Sequence, residues 1–163
     1  MDPIKSSLNL PFGYKFDPTS VELLQHYLIP KLRGEKLPSD YVMDLDHLYT
    51  YEPCQLPFNQ FKHAKNDEAF FFTTDIRKSS EEESQIRTTS NGYWKVYKDH
   101  VAVDIAGEVI GFKTKLFFYG VNRNRTYWKM IEYRCHPTRI PIDIVERYII
   151  CKIKLKKVEE EEG

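Results

Sequence analysis

No stretch of this sequence stays apolar for the ~18 residues that a bilayer crossing needs, so a membrane span is not expected. The opening residues, Met1 to Ser7, lack the apolar core of a secretory signal, which argues against export. Cysteine is scarce. Cys54, Cys135 and Cys151 are odd in number and widely spaced, which fits free, buried thiols in a reducing compartment rather than a disulfide framework. A zinc site wants close Cys/His pairs, and the adjacent Cys135 and His136 have no second pair. The run Asp44-Leu45-Asp46-His47 has no further ligands at helical or strand spacing and reads as a solvated turn. A Gly-rich phosphate loop, a Gly-x-Ser-x-Gly elbow and a His-Glu-x-x-His helix are all missing, and His26, His47, His63, His100 and His136 are scattered. The expectation is a protein without enzymatic activity, metal or cofactor. A hydrolase or metalloprotein reading would need turnover or stoichiometric metal to support it.

Net charge is absent too, with 24 basic and 24 acidic residues, but the balance hides a gradient. Residues 1–70 carry 7 basic and 10 acidic groups, and residues 71–158 carry 17 basic and 10 acidic groups. The stretch Glu159 to Glu162 then adds four acids. A basic face, rather than a basic total, is what a polyanion partner requires. With 163 residues, 41% hydrophobic and 14% aromatic, the chain has enough apolar material for one domain, or at most two small ones, with a real core.

Residues 1–9 read as a loose leader and Leu10 to Phe16 as an extended segment. Thr19 and Glu22 form a capping-box pattern that opens a helix with Val21, Leu24 and Leu28 in one stripe and Leu23 and Tyr27 beside it. The helix is expected to stop before Pro30, because the residue ahead of a proline avoids the α region. A short helix over Tyr41 to Met43 follows a cap at Pro38-Ser39-Asp40. Leu48 to Pro57 reads as an ordered connection, Ala69 to Thr73 as a buried strand, and Ser79 to Asn91 as a mobile surface loop holding Glu81-Glu82-Glu83. Further strands are predicted over Tyr93 to Tyr97, Val101 to Ile105, Val109 to Tyr119, Tyr127 to Cys135 and Tyr148 to Leu155. Short turn signals between them favour an antiparallel sheet.

The stretch Asn91 to Lys98 carries the most chemistry. An Asn-Gly turn leads into an aromatic and β-branched strand with projecting Lys95 and Lys98. The residues alone leave two readings open: a β-element laid in a nucleic-acid groove, or an ordinary strand with lysines on its wet side. Downstream, Lys113 and Lys115 share a face of their strand.

Four ordered blocks then resemble the NAC domain, a family of plant transcription factors. They are Leu10-Pro11-Phe12-Gly13-Tyr14-Lys15-Phe16-Asp17-Pro18-Thr19; Asp46 to Pro57 with Leu48-Tyr49 and Tyr51-Glu52-Pro53; Phe71-Phe72 with Arg77-Lys78 and Gly92-Tyr93-Trp94-Lys95; and Phe117-Phe118-Tyr119, Trp128-x-Met130-x-Glu132-Tyr133-Arg134 and Ile150-Cys151-Lys152-Ile153. The resemblance implies an α+β fold, a twisted antiparallel β-sheet packed between a few helices. It implies a domain over 10–157, and the acidic composition of 158–163 reads as a disordered tail after it. It implies a nuclear, non-enzymatic protein that binds double-stranded DNA with a CGT-type core as a homodimer or a heterodimer with other NAC proteins.

Residue by residue, the resemblance assigns the groove strand to Tyr93, Lys95, Val96, Tyr97 and Lys98, with Lys78 and Arg87 as basic positions ahead of it. It places Lys113, Lys115 and Arg125 near phosphates. It assigns the dimer interface to Leu10, Phe12, Lys15 and Glu22, the last two standing where the family pairs Arg with Glu across protomers. The departures fall in the same blocks. Phe12 replaces a usual Pro, and Cys54-Gln55 a usual Trp-Asp. Val96-Tyr97-Lys98 stand where the family has Ala-Thr-Gly, which adds bulk to a strand meant to lie against base edges. Glu81-Glu82-Glu83 place acid where the family loop is neutral or basic, which weakens contact with phosphates. A second reading follows from these departures: a NAC-like dimerisation module with weak or altered DNA binding that modulates its relatives.

Overall fold

The computed structural model describes residues 15–61, 67–74, 85–145 and 147–155. The expected leader over 1–9, Lys78, the acidic loop residues Glu81 to Glu83 and the tail over 158–163 lie outside them.

The first helix, α1, has three consecutive parts: Ser20–Glu22 is α-helical, Leu23–Leu28 is a π-helical stretch, and Ile29–Arg33 is α-helical again. Its start is the capping box read from the sequence. The Glu22 N–H donates to Thr19 Oγ1 at 3.1 Å, and the Thr19 N–H donates to Glu22 Oε1 at 2.8 Å. Its end is not where Pro30 was expected to put it. The Ile29 N–H reaches five residues back to the Leu24 carbonyl, so the turn ahead of Pro30 is widened. The helix then resumes with Pro30 in the first turn of its last part, where a missing N–H leaves no gap. Gly34, at φ 73°, closes α1. Its N–H donates to the Lys31 carbonyl at 3.2 Å and the Glu35 N–H to the Pro30 carbonyl at 2.9 Å, the paired bonds of a Schellman ending.

Seven strands form one sheet: β1 (Met43–Asp44), β2 (Glu68–Thr73), β3 (Ile86–Thr88), β4 (Tyr93–Ile105), β5 (Glu108–Tyr119), β6 (Arg125–Cys135) and β7 (Ile149–Leu155). Their spatial order is β1-β2-β7-β6-β5-β4-β3. Every pairing is antiparallel except β1 with β2, which run parallel. The predicted antiparallel sheet is therefore present, mixed only at one edge. A helix over Tyr41 to Met43 is not: Met43 and Asp44 pair with Phe71 and Phe72 instead. The polar loop read over Ser79 to Asn91 contains strand β3. The predicted strands at Tyr93 and Val101 are one strand, bent at register shifts and at His100, whose φ is 57°. A short second helix, α2 (Ile142–Val145), went unpredicted.

Two apolar clusters sandwich the sheet. Leu23, Leu24, Tyr27, Leu28, Ile29 and Leu32 of α1 pack on Phe70, Phe72, Tyr133 and Ile150. On the other face, Leu48, Tyr49 and Leu56 cover Trp94, Leu116, Phe118, Met130, Cys151 and Ile153. Those three residues come from an ordered connection that forms 3₁₀ turns at Leu48–Thr50 and Pro53–Gln55. Each fully buried large side chain contributes about 1.5–3 kcal/mol, so both layers matter to stability. α1 covers only part of its face. The remainder is where the basic residues gather.

Candidate nucleic-acid interface

The turn into β4 is held from below by Glu52. Its carboxylate accepts the Asn91 N–H at 3.0 Å and the Thr89 hydroxyl at 3.0 Å. Glu52 is itself fixed, because its N–H donates to Gln55 Oε1 at 2.8 Å within a capping box. Gly92 then passes so close to β5 that an added Cβ would stand 2.4 Å from the Tyr119 carbonyl oxygen and 2.6 Å from the Phe118 ring. Only glycine fits there. Trp94 turns inward, 1% exposed, edge-on to Phe118 at 5.1 Å. Val96, opposite Leu116, also faces this inner layer.

Tyr93, Lys95, Tyr97 and Lys98 sit on the other side. Register places Tyr93 opposite Tyr119 and Lys95 opposite Phe117. A register shift between Val96 and Lys98 makes Tyr97 an extra residue, and Lys98 pairs with Lys115. A bulge of this kind lets neighbouring residues face the same way. Tyr97 accordingly stacks on Phe117, with centroids 4.3 Å apart, while Tyr93 stacks on Tyr119 at 5.2 Å. The Arg125 guanidinium lies 4.5 Å over Phe117, and Lys129 Nζ lies 5.5 Å from Phe117 and 5.9 Å from Tyr97. Ile86 is opposite Lys95 and 44% exposed, and Tyr127 is 42% exposed. The result is an exposed surface of ring edges interleaved with cations.

A second basic group adjoins it. Lys113 Nζ lies 3.5 Å from the Ser20 hydroxyl and donates to it. Its ammonium is held below the ordinary lysine value, first by partial burial and then by repulsion from Lys115, Lys152 and Lys98. Lys152 is also 4.0 Å from Glu68 Oε2, so Lys98, Lys113 and Lys115 carry the part of this field that favours an anion.

Arg87, expected to face the partner, points the other way. It is 1% exposed and forks onto Glu132, with Nε to Oε2 at 3.1 Å and Nη2 to Oε1 at 3.0 Å. Arg134 Nη1 donates to the same Oε1 at 3.0 Å, and the Tyr49 hydroxyl donates to Oε2. Tyr49 also lies 3.5 Å from the Cys151 sulfur. Burial alone would push the Arg87 guanidinium toward losing its proton, but the Glu132 charge more than offsets this and the group stays above its ordinary value. Burial likewise acts to raise Glu132, and Arg134 and Arg87 overcome it and hold the carboxyl low. Burial drives Tyr49 and Cys151 upward, with the Glu132 charge adding to both, so each stays protonated. The Arg87 side chain is closed off from the outer surface. It ties β3 to β6.

The dimer residues are divided. Leu10 and Phe12 lie outside the described residues, as does Lys78. Lys15 and Glu22 line one cleft of about 310 Å³ with Asp17, His26, Ser39 and Tyr41. Among the described residues no group of three His, Cys, Asp or Glu side chains could hold a metal ion, and no helix is long and apolar enough to cross a membrane.

Sequence reading missed Lys129, Phe117, Tyr119 and Tyr127 as parts of this surface. Their alternation along two strands was visible, but which residues oppose β4 depends on register and on the bulge at Tyr97. It also missed Glu132 as the partner of Arg87 and Tyr49 as a second donor to Glu132, because the pairing of an acid in one strand with an arginine far upstream carries no local signal.

Comparison with known proteins adds a family. The family model described as "No apical meristem (NAM) protein" matches residues 11–135, more than half of the chain. The rice "NAC domain-containing protein 2" is 38% identical over 133 residues, covering 80% of this chain and 41% of that protein. The rice "NAC domain-containing protein 67" is 36% identical over 133 residues, covering 80% and 47%. The Arabidopsis "NAC domain-containing protein 86" is 32% identical over 161 residues, covering 94% and 33%. This chain thus spans less than half the length of each of these relatives. The matches and the seven-stranded sheet agree: the chain belongs to the NAC domain family of plant transcription factors.

Proposed function

We propose that residues 10–157 form a sequence-specific DNA-binding and dimerisation domain that acts in the nucleus to regulate transcription. The observation that carries this reading is the exposed surface of β4, β5 and β6, where Lys95, Arg125 and Lys129 alternate with stacked rings beside the Lys98, Lys113, Lys115 and Lys152 group. A duplex presents a regular line of phosphates, and a strand braced by aromatic rings can approach base edges while flanking cations neutralise the backbone. Lys95, Tyr97 and Lys98 are the residues assigned to the groove. Lys113, Lys115 and Arg125, joined by Lys129, are assigned to phosphates. Lys15 and Glu22 are assigned to the protomer contact. The family resemblance supplies the expectation of a CGT-type core.

A DNA-selection experiment on the purified protein at two salt concentrations tests this. Enrichment of one consensus, with affinity that falls as salt rises, supports the reading. Absence of enrichment removes sequence-specific recognition.

A second reading is favoured by the inward Arg87 and by the bulk of Tyr97 and Lys98 on the groove strand. In it the chain is a dimerisation module that reads DNA poorly and modulates relatives by pairing with them. It predicts a stable dimer whose DNA binding stays at the non-specific level.

A further inference from the structure

β3 has three residues and three register partners, Ile86 with Lys95, Arg87 with Trp94 and Thr88 with Tyr93. So short an edge strand has little to hold it. Yet its central side chain is among the largest fully buried ones in the protein, and its partner lies on β6, three strands away in the sheet. At about 4.8 Å per step, three steps separate the backbones by roughly 14 Å in a flat sheet. The sheet is curled, and the Arg87–Glu132 contact at 3.0 Å bridges β3 to β6 across its inner face, over the two strands between them.

Tyr49 joins the same carboxylate from the covering segment, and Glu52, three residues later, holds the turn between β3 and β4. Arg134 adds a third cationic or hydroxyl donor to Glu132. Both ends of the β3–β4 hairpin are thus fixed from the inner face by one short stretch of chain and one carboxylate. The outer side of the same strands carries Lys95, Tyr97, Phe117 and Lys129.

We infer that the buried Arg87–Glu132–Tyr49 cluster is a positioning device for the β4 strand, setting the curl that aligns its outer cations with a duplex, while Arg87 itself touches no phosphate. This rests on the DNA-binding reading of the outer face. It assigns to Glu132 and Tyr49 a role in binding that neither could have by contact, since both are buried behind the sheet.

The test turns on sign. Removing an acidic group should strengthen attraction to a polyanion if charge alone matters. A positioning role demands the opposite. Glu132→Gln is expected to retain its near-ultraviolet circular dichroism yet bind duplex DNA about tenfold more weakly, the size of one lost specific contact. Its salt dependence should keep the parent slope, because no phosphate contact is removed. Hydrogen exchange should quicken in residues 86–88 and 93–95 and stay as in the parent over 69–72 and 149–153. Tyr49→Phe, which keeps the ring and loses only the hydroxyl, should shift both readouts the same way to a smaller degree. It decides the matter if Glu132→Gln fails to fold.

Equal or tighter binding, with unchanged exchange at β3, overturns the inference. A salt slope lowered by about one in Arg87→Met would assign Arg87 to a phosphate and overturn it as well. If the parent chain itself binds no duplex, the DNA-binding reading falls, and the exchange pattern alone decides whether the cluster holds the hairpin.

Discussion

Tyr97 lies against Phe117 with ring centroids 4.3 Å apart and planes 22° from parallel, although Tyr97 itself is 43% exposed. The stack braces one face of a ring that stays largely exposed. Tyr97→Ala should leave unfolding within about 0.5 kcal/mol of the parent, as for other surface truncations. It should cost about 1–3 kcal/mol of specific DNA binding and relax one position of the selected consensus. Tyr97→Phe keeps the stack and should separate the ring from the hydroxyl in the same titration.

Lys95 stands opposite Phe117, exposed, with no bulge to displace it. If it meets a phosphate, Lys95→Ala should weaken binding about equally on all sequences and lower the salt slope by about one. If it meets a base, the loss should be about 1–3 kcal/mol on the preferred sequence only. Binding unchanged on every sequence would remove Lys95 from the interface.

Gly92 has no room for a side chain, with the Tyr119 carbonyl 2.4 Å from where a Cβ would be. Backbone cannot yield as a flexible side chain can. Gly92→Ala should therefore destabilise the domain by about 1–3 kcal/mol, measured by urea unfolding. The same substitution at Gly120, where the closest atom is an Asn122 side-chain oxygen at 3.5 Å, should cost much less.

Glu132 is held below the ordinary carboxylate value of 4.5, so its folded pKa is depressed. Its contribution to stability is present above the unfolded value and is lost as pH falls through the folded one. Protonation there also strips Arg87 and Arg134 of a charged partner. Stability of the parent should consequently fall faster below about pH 4.5 than that of Glu132→Gln, which lacks the titration. Parallel acid limbs in chemical denaturation at several pH values would contradict this.

Glu22 has one demonstrable task, the cap of α1, and one proposed task, the protomer contact with Lys15. Glutamine serves in a capping box but carries no charge. Glu22→Gln should therefore leave the melting temperature nearly unchanged while weakening the dimer in sedimentation equilibrium. Thr19→Ala should do the reverse, lowering stability by about 1 kcal/mol through the lost cap.

How much of this was legible in the sequence depends on the range of the forces involved. The capping box at Thr19 and Glu22 is local, and it was readable. So were β2, β5, β6 and β7, because alternation or continuous apolar runs mark them. Pro30 misled, since Ile29 ahead of it keeps α-region angles, φ −60° and ψ −48°, where the widened π turn joins the last α-helical part. β3 was hidden because its burial comes from one arginine, a residue that ordinarily signals the surface. The outer face of lysines and rings was half legible: the residue types were visible, but their gathering depends on register and on the Tyr97 bulge. Arg87 was assigned to the partner through the family resemblance, and only the Glu132 fork reveals that its charge is already used inside.

Among the described residues, no strand pairs with residues 96–105 of β4 on the side away from β5, which leaves a strand edge there. Such an edge is a template on which another chain can add itself. Here the template is spoiled. Tyr97 bulges, the register slips again before Val101, His100 takes a left-handed backbone, and Lys98 places a charge in the path. A foreign strand would lose step within a few residues. The irregularities that aim side chains outward thus also make this side of β4 a poor match for an added strand.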